Sequence, residues 1–216
     1  MIMQIITLQS YTDLKLVFFL KEDNLNRWNH FQMLPHIWNN VKDIRFFADN
    51  SEEIKEISIY LEEVMGQRKA YEENDIDYKS FAPYYLIITD DYKKIERINI
   101  IKQIVSSKNN LGFSLLCLAD NITKLPNECK TFINISDGKG EVFESELTEN
   151  GKRSFTFDDQ QRIFFEKISR TISNIPIKNT SSKDMVLPNT YTFLEMYDVG
   201  NIEQLNVIER WRRNEI

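Results

Sequence analysis

Short apolar runs and longer three-then-four spacings take turns along this sequence, and that alternation sets the expected order of elements. Asp13 to Leu20 is a run of apolar, β-branched and aromatic residues of strand length. A helix is expected from Asn24 to Met33, closed by Pro35, and a second strand over Ile44 to Ala48. Asn50-Ser-Glu-Glu53 has the form of a capping box, and Ile54, Ile57, Leu61 and Val64 behind it draw one apolar stripe along a long helix. In the same helix the run Glu62 to Glu73, with Arg68 and Lys69, reads as a solvated face. Tyr84 to Asp90 is continuously apolar up to its end, the pattern of a strand buried on both faces in the middle of a parallel sheet. A helix over Arg97 to Ser107, a strand over Phe113 to Ala119 and a short strand over Thr131 to Ile135 continue the alternation.

The pattern then changes. Gly138-Lys-Gly140 and Asn150-Gly151 are turn signals around Glu141 to Leu147 and Arg153 to Phe157, which predicts a β-hairpin of antiparallel edge strands. Asp158 and Gln161 open a further helix through Phe165, Ile168 and Ile172 that ends near Asn174. Residues 176 to 189 carry two prolines and Lys-Asn-Thr-Ser-Ser-Lys, the composition of a linker or of a long surface loop. The tail from Thr190 to Arg213 is aromatic and then helix-like, with Ile202, Leu205, Ile208 and Trp211 in register. Strand and helix in repeated succession imply an α/β fold, a mostly parallel sheet flanked by helices with right-handed crossovers. We expect an α/β domain over residues 1–175 and a linker and connector over residues 176–216.

Composition narrows the function classes. The 216 residues are 42% hydrophobic and 28% charged, enough apolar material for a packed core. A net charge of −6 lacks the clustered cations that replace counterions along a polyphosphate, which argues against nucleic acid as a partner. The longest uninterrupted apolar stretch, Leu16 to Leu20, is far shorter than the roughly 20 residues of a membrane span. The start has neither a basic region nor a cleavage motif, so a cytosolic location is expected, and Ile2, Ile5 and Ile6 look like a helix face cut from something longer. Cys117 and Cys129 form no CxxC pair and are expected to be reduced, with Cys117 a small core hydrophobe.

A phosphate-binding loop needs a glycine-rich turn followed by Lys and then Ser or Thr. The two Gly-Lys pairs here, Gly138-Lys139 and Gly151-Lys152, are followed by Gly140 and Arg153, and the upstream glycine positions hold Ile133 and Glu146. Both fail, so no phosphate loop lies within the sequence. Leu86-Ile-Ile-Thr-Asp90-Asp91, by contrast, has the form of a Walker B segment, an apolar strand ending in acids that would hold Mg2+ and orient water. Asp91 stands where a catalytic Glu is expected. The competing reading is that Asp90 or Asp91 caps a helix beginning near Lys93. His30 and His36 match no zinc spacing and read as structural or surface residues.

Four segments resemble the cytosolic region of EssC-type ATPases, FtsK/SpoIIIE-family motors of Firmicute type VII secretion. Met3-Gln-Ile-Ile-Thr-Leu-Gln-Ser-Tyr-Thr-Asp-Leu-Lys-Leu-Val-Phe-Phe19 resembles the helix and strand that follow the phosphate-loop position in the family's first ATPase-like domain. Leu34-Pro-His36 with Trp38 resembles the turn before its second strand, and Leu118 to Pro126 the turn after the strand beside Walker B. Tyr191 to Gly200, continued by Ile208 to Trp211, is similar to the connector into the first ATPase domain with a complete phosphate loop.

The resemblance implies a RecA/P-loop-NTPase-like fold without a Walker A loop, lying between membrane helices and the first complete P-loop domain. It implies a motor anchored at the cytoplasmic face of the cell membrane that uses ATP and Mg2+ and assembles as a homo-hexamer. Its partners would be neighbouring ATPase domains, other type VII membrane components and, indirectly, WXG-type substrates. Asp90 and Asp91 fall on the Walker B-like position, whereas no phosphate-loop residue carries over, so no cofactor is expected for this region alone. Three functions stay open: a degenerate domain that couples or regulates export, a nucleotide hydrolase whose phosphate loop lies upstream or on a neighbour, and a pure interaction scaffold that docks through Phe193, Tyr197 and Trp211.

Overall fold

The structure is a computed structural model that describes residues 1–73, 81–107, 109–136, 138–144, 151–156 and 162–175. The linker and connector expected over 176–216, with Phe193, Tyr197 and Trp211, lie outside the described residues. Four parallel strands form the main sheet: β1 (Leu14–Phe19), β2 (Phe47–Ala48), β3 (Tyr84–Thr89) and β4 (Phe113–Cys117), in spatial order β2-β1-β3-β4. The expected strand over Ile44 to Ala48 is shorter than its sequence pattern, because only Phe47 and Ala48 pair with β1 while Arg45 bridges back to Trp38. β1 and β3 are the inner strands and share a six-residue register from Leu14↔Tyr84 to Phe19↔Thr89.

Helices cover both faces, which is why β1 is buried at every position. One face of the sheet, with Val17, Phe19, Tyr85, Ile87 and Phe113, packs on α3 (Ser51–Glu73) and α5 (Asn99–Ser106). The other, with Leu14, Leu16, Phe18 and Ile88, packs on α1 (Ile2–Leu8), the turns around Phe31 and Leu34, and α6 (Arg162–Ser173). The helix expected over Asn24 to Met33 is broken into one α turn, α2 (Leu25–Trp28), between 3-10 turns. A four-residue segment, α4 (Tyr92–Ile95), precedes α5.

At the start of α3 the Asn50 side chain accepts the amides of Glu52 (3.1 Å) and Glu53 (3.0 Å), as a cap should. The Glu53 carboxylate reaches back to the amide of Asp49, one residue short of a true box. The apolar stripe extends beyond the predicted set to Met65, and the buried face of the helix continues to Arg68. Arg68 corrects the solvated-face expectation: it is 7% exposed. Its Nη1 donates to the carbonyls of Leu111 (2.7 Å) and Gly112 (3.3 Å), and Nη2 to that of Pro83 (2.6 Å). The rings of Phe81, Tyr85 and Phe113 lie 5.0–5.3 Å from the guanidinium carbon. Gly112 sits at φ +82, and a Cβ there would lie 2.6 Å from Phe81 Cβ and against the guanidinium.

The predicted hairpin belongs to a separate antiparallel sheet, β5 (Thr131–Ser136), β6 (Lys139–Glu144) and β7 (Arg153–Thr156), in the order β5-β6-β7. Phe132 and Phe143 stack across the first pair, with centroids 5.3 Å apart.

Candidate functional site at the carboxyl end of the parallel sheet

In the order β2-β1-β3-β4 the chain goes outward to one side of β1 and then returns to the other, so its topological switch point lies between β1 and β3. Open α/β sheets take ligands in the crevice beyond the carboxyl ends of such a pair. Asp90 and Asp91 follow β3 into that crevice, and Leu20 to Asn24 follow β1.

Asp90 spans it. Oδ1 accepts the Lys21 amide at 2.9 Å, and Oδ2 accepts Asn24 Nδ2 at 2.6 Å. Asp91 Oδ2 stands 3.7 Å from Lys21 Nζ, a half-exposed pair worth at most about 1 kcal/mol. Thr89 is fully buried, and its Oγ1 accepts the Asp91 amide at 3.1 Å. Lys94 Nζ donates to the carbonyl of Leu20 at 3.2 Å and to that of Asp49, joining the carboxyl ends of β1 and β2. The helix-cap reading of the acids is not the geometry adopted. Asp91 occupies the N-cap position of α4 without a side-chain bond to it, and the Asp90 carboxylate crosses to the β1 loop.

Among the described residues the crevice supplies no phosphate cradle of its own. A phosphate cradle needs free backbone amides, but the β1 loop offers Leu20-Lys-Glu-Asp-Asn24 without a glycine, and its first helical turn carries Glu22 and Asp23. Both oxygens of Asp90 accept hydrogen bonds from the neighbouring loop, which fixes the carboxylate against the Lys21 amide and Asn24. Among the described residues no group of three or more His, Cys, Asp or Glu could hold a metal ion. The partners Lys21, Asn24 and Lys94 went unmarked in the sequence. The basic pair after Asp90-Asp91 was the one hint of Lys94.

The remaining candidates lie elsewhere. His36 is 1% exposed, its Nε2 lies 3.0 Å from the Gln9 carbonyl, and burial holds its pKa below the usual histidine value, so it is a core residue. His30 packs between Phe31 and Phe165. Cys117 and Cys129 are free and half-buried. Burial and then the neighbouring Cys129 push the Cys117 thiol up to about 12, the opposite of an activated nucleophile. No described helix is long and apolar enough to cross a membrane.

No family model matches the sequence. The chain is 30% identical over 225 residues to the type VII secretion system protein EssC of Staphylococcus aureus, an alignment covering 100% of this chain and 15% of that protein. It is 23% identical over 209 residues to the ESX secretion system protein YukB of Bacillus subtilis, covering 95% of this chain and 14% of YukB. Its structure is similar to that of EssC (ATPases 2 and 3) from Geobacillus thermodenitrificans, with a TM-score of 0.57 and 15% identity over 81% of this chain and 41% of that one. A structure of the cytoplasmic domain of EssC gives a TM-score of 0.51 and 13% identity over 79% of this chain and 40% of that one. At such identities the structural matches speak to fold, and the shared element is the parallel sheet with flanking helices of the P-loop-NTPase-like EssC ATPase domains. Over its whole length the chain is homologous to the EssC/YukB type VII secretion proteins, and it spans about 15% of the length of the EssC proteins it matches.

Proposed function

We propose that residues 1–175 form a degenerate ATPase-like domain of a type VII secretion motor, one that couples or regulates export without binding nucleotide itself. Residues 176–216 serve in this reading as the connector towards a following ATPase domain, with Phe193, Tyr197 and Trp211 as its docking side chains. ATP and Mg2+ are then used by the other domains of a hexameric motor at the cytoplasmic face of the membrane. This domain meets neighbouring ATPase domains and membrane components, and touches WXG-type substrates only indirectly. The observation that carries the reading is the double engagement of Asp90. The acid at the Walker B-like position is tied through both oxygens to the loop after β1, across the crevice at the carboxyl end of the sheet.

The test is calorimetric titration of the chain with Mg-ATP beside an Asp90→Ala variant. No saturable heat from either protein is expected. Saturable binding by the parent chain that disappears in the variant overturns the degenerate reading in favour of a hydrolase whose phosphate loop is supplied from elsewhere.

A further inference from the structure

His36 is held by one hydrogen bond and lacks a second. Its Nε2 stands 3.0 Å from the Gln9 carbonyl, and a carbonyl only accepts, so Nε2 carries the proton of the neutral ring. That leaves Nδ1 as an acceptor, buried and without a hydrogen-bond partner among the described residues. The ring belongs to the 3-10 turn Pro35–Ile37 and is flanked by Leu34 and Ile37, both fully buried. Tyr11 meets it edge-on, with ring centroids 6.2 Å apart. The ammonium of buried Lys15 lies 5.8 Å from the same Tyr11 ring and is the one charge among the described residues that acts on His36.

These surroundings keep the imidazole neutral. Burial disfavours the charged ring most, and Lys15 adds to it, against the opposite pull of the Gln9 carbonyl. Lys15 is itself acted on by another cation, Lys42. Neither α1 nor the turn from Leu34 to Trp38 carries another titratable side chain. In the corner at residues 9–13 that joins α1 to β1, the one acid, Asp13, is in contact with Thr12 Oγ1 at 3.4 Å. Among the described residues no carboxylate forms an ion pair with His36 or Lys15. A proton added at Nδ1 would therefore create a buried imidazolium beside an ammonium, with its new N–H facing no acceptor.

What yields to that proton is the weakest element nearby. α1 has seven residues, starts without a side-chain cap and buries only Met3 and Ile6. A helix of that length does not hold alone in water. Its C-cap residue is Gln9, the partner of His36. The corner beyond is tied to itself, since the Ser10 carbonyl accepts the amides of both Asp13 and Leu14. Segments with few buried contacts open first.

We propose that His36 is an acid-released latch: neutral, it pins α1 to the core through Gln9, and uptake of one proton at Nδ1 frees α1 from the sheet face it covers while the parallel strands stay paired. In the open form the imidazole is an ordinary one that titrates near 6.5, and in the closed form it titrates lower. Opening therefore takes up a proton below about pH 6.5 and grows by up to about tenfold per pH unit, levelling off once the closed form can itself be protonated.

Amide exchange of the chain between about pH 7 and 5, corrected for the intrinsic pH dependence of exchange, tests the latch. Protection over Ile5 to Gln9 should fall by up to about tenfold per pH unit, while that of Leu16 to Phe19 in β1 and of α3 holds. His36→Gln has an amide that can still donate to the Gln9 carbonyl but takes up no proton, and should flatten the fall. Lys15→Met removes the neighbouring cation and should lessen it. In the parent chain, with no variant needed, the His36 Cε1 proton should titrate below 6.5 and in step with the loss of α1 protection. Four results overturn the proposal: α1 protection that does not change over this range, a fall shared equally by β1 and α3, a fall that survives His36→Gln and so belongs to His30 or a carboxylate, or a His36 that titrates at or above 6.5. None of these outcomes depends on nucleotide binding.

Discussion

Arg68 sets two large effects against each other. Replacing it with methionine keeps a long apolar stem and deletes the guanidinium. On one side, a buried cation with no carboxylate partner among the described residues carries a desolvation cost of several kcal/mol, and burial pulls its pKa below the usual arginine value. On the other, the planar fork satisfies carbonyls from two separate chain segments, Pro83 before β3 and Leu111-Gly112 before β4. Hydrogen bonds from a charged donor contribute about 1.5–3 kcal/mol each. Three rings around the cation add about 0.5–2 kcal/mol. The Leu111 and Pro83 bonds, at 2.7 and 2.6 Å, are short and the Gly112 contact is long, so two strong bonds and the rings offset the desolvation. Methionine leaves those carbonyls without their donor, and Arg68→Met should destabilise the chain by about 3 kcal/mol. Arg68→Lys, which keeps charge but loses the fork, should cost about 2 kcal/mol. Urea unfolding followed by tryptophan fluorescence reads both, since Trp28 and Trp38 pack against the core on the other face of the sheet. An Arg68→Met chain as stable as the parent would refute the argument, because desolvation would then outweigh the bonds.

Gly112→Ala should destabilise by about 2 kcal/mol or more, because φ +82 disfavours a side chain and the Cβ would meet Phe81. In combination with Arg68→Met its cost should shrink, which a double-mutant cycle in urea checks. Lys15 is 2% exposed, and burial followed by the neighbouring Lys42 lowers its pKa from 10.5 to about 8. The unfolded chain therefore binds more protons between about pH 8 and 10.5. The penalty is absent above that window and complete below it, so Lys15 makes stability rise with pH there. Cys117 acts in the opposite sense above pH 9, so the window to measure is pH 8 to 9. Lys15→Met should raise the urea midpoint at pH 7 and flatten that rise. Asp90→Asn keeps an acceptor for the Lys21 amide but turns an amide towards Asn24, and should cost about 1–2 kcal/mol in the same assay.

What the sequence determined by itself is local. The three-then-four spacing of α3, the cap at Asn50 and the unbroken apolar run of β3 follow from neighbours a few residues apart, and the structure keeps those elements. What the tertiary structure decided is everything that depends on residues far apart in the chain. Arg68 looks solvated beside Glu62, Glu63 and Lys69, and is buried because Pro83 and Leu111 come to it from β3 and β4. Ile44 to Ala48 reads as a full strand, but only two of its residues find β1. The acids of Asp90-Asp91 spell a Walker B end, and the partner that occupies Asp90 lies 69 residues away, at Lys21. β4 reads as one more buried strand, yet among the described residues it is the last strand on its side of the sheet. Whether a strand has a neighbour on both sides is a property of how the chain folds back on itself, and no local periodicity encodes it.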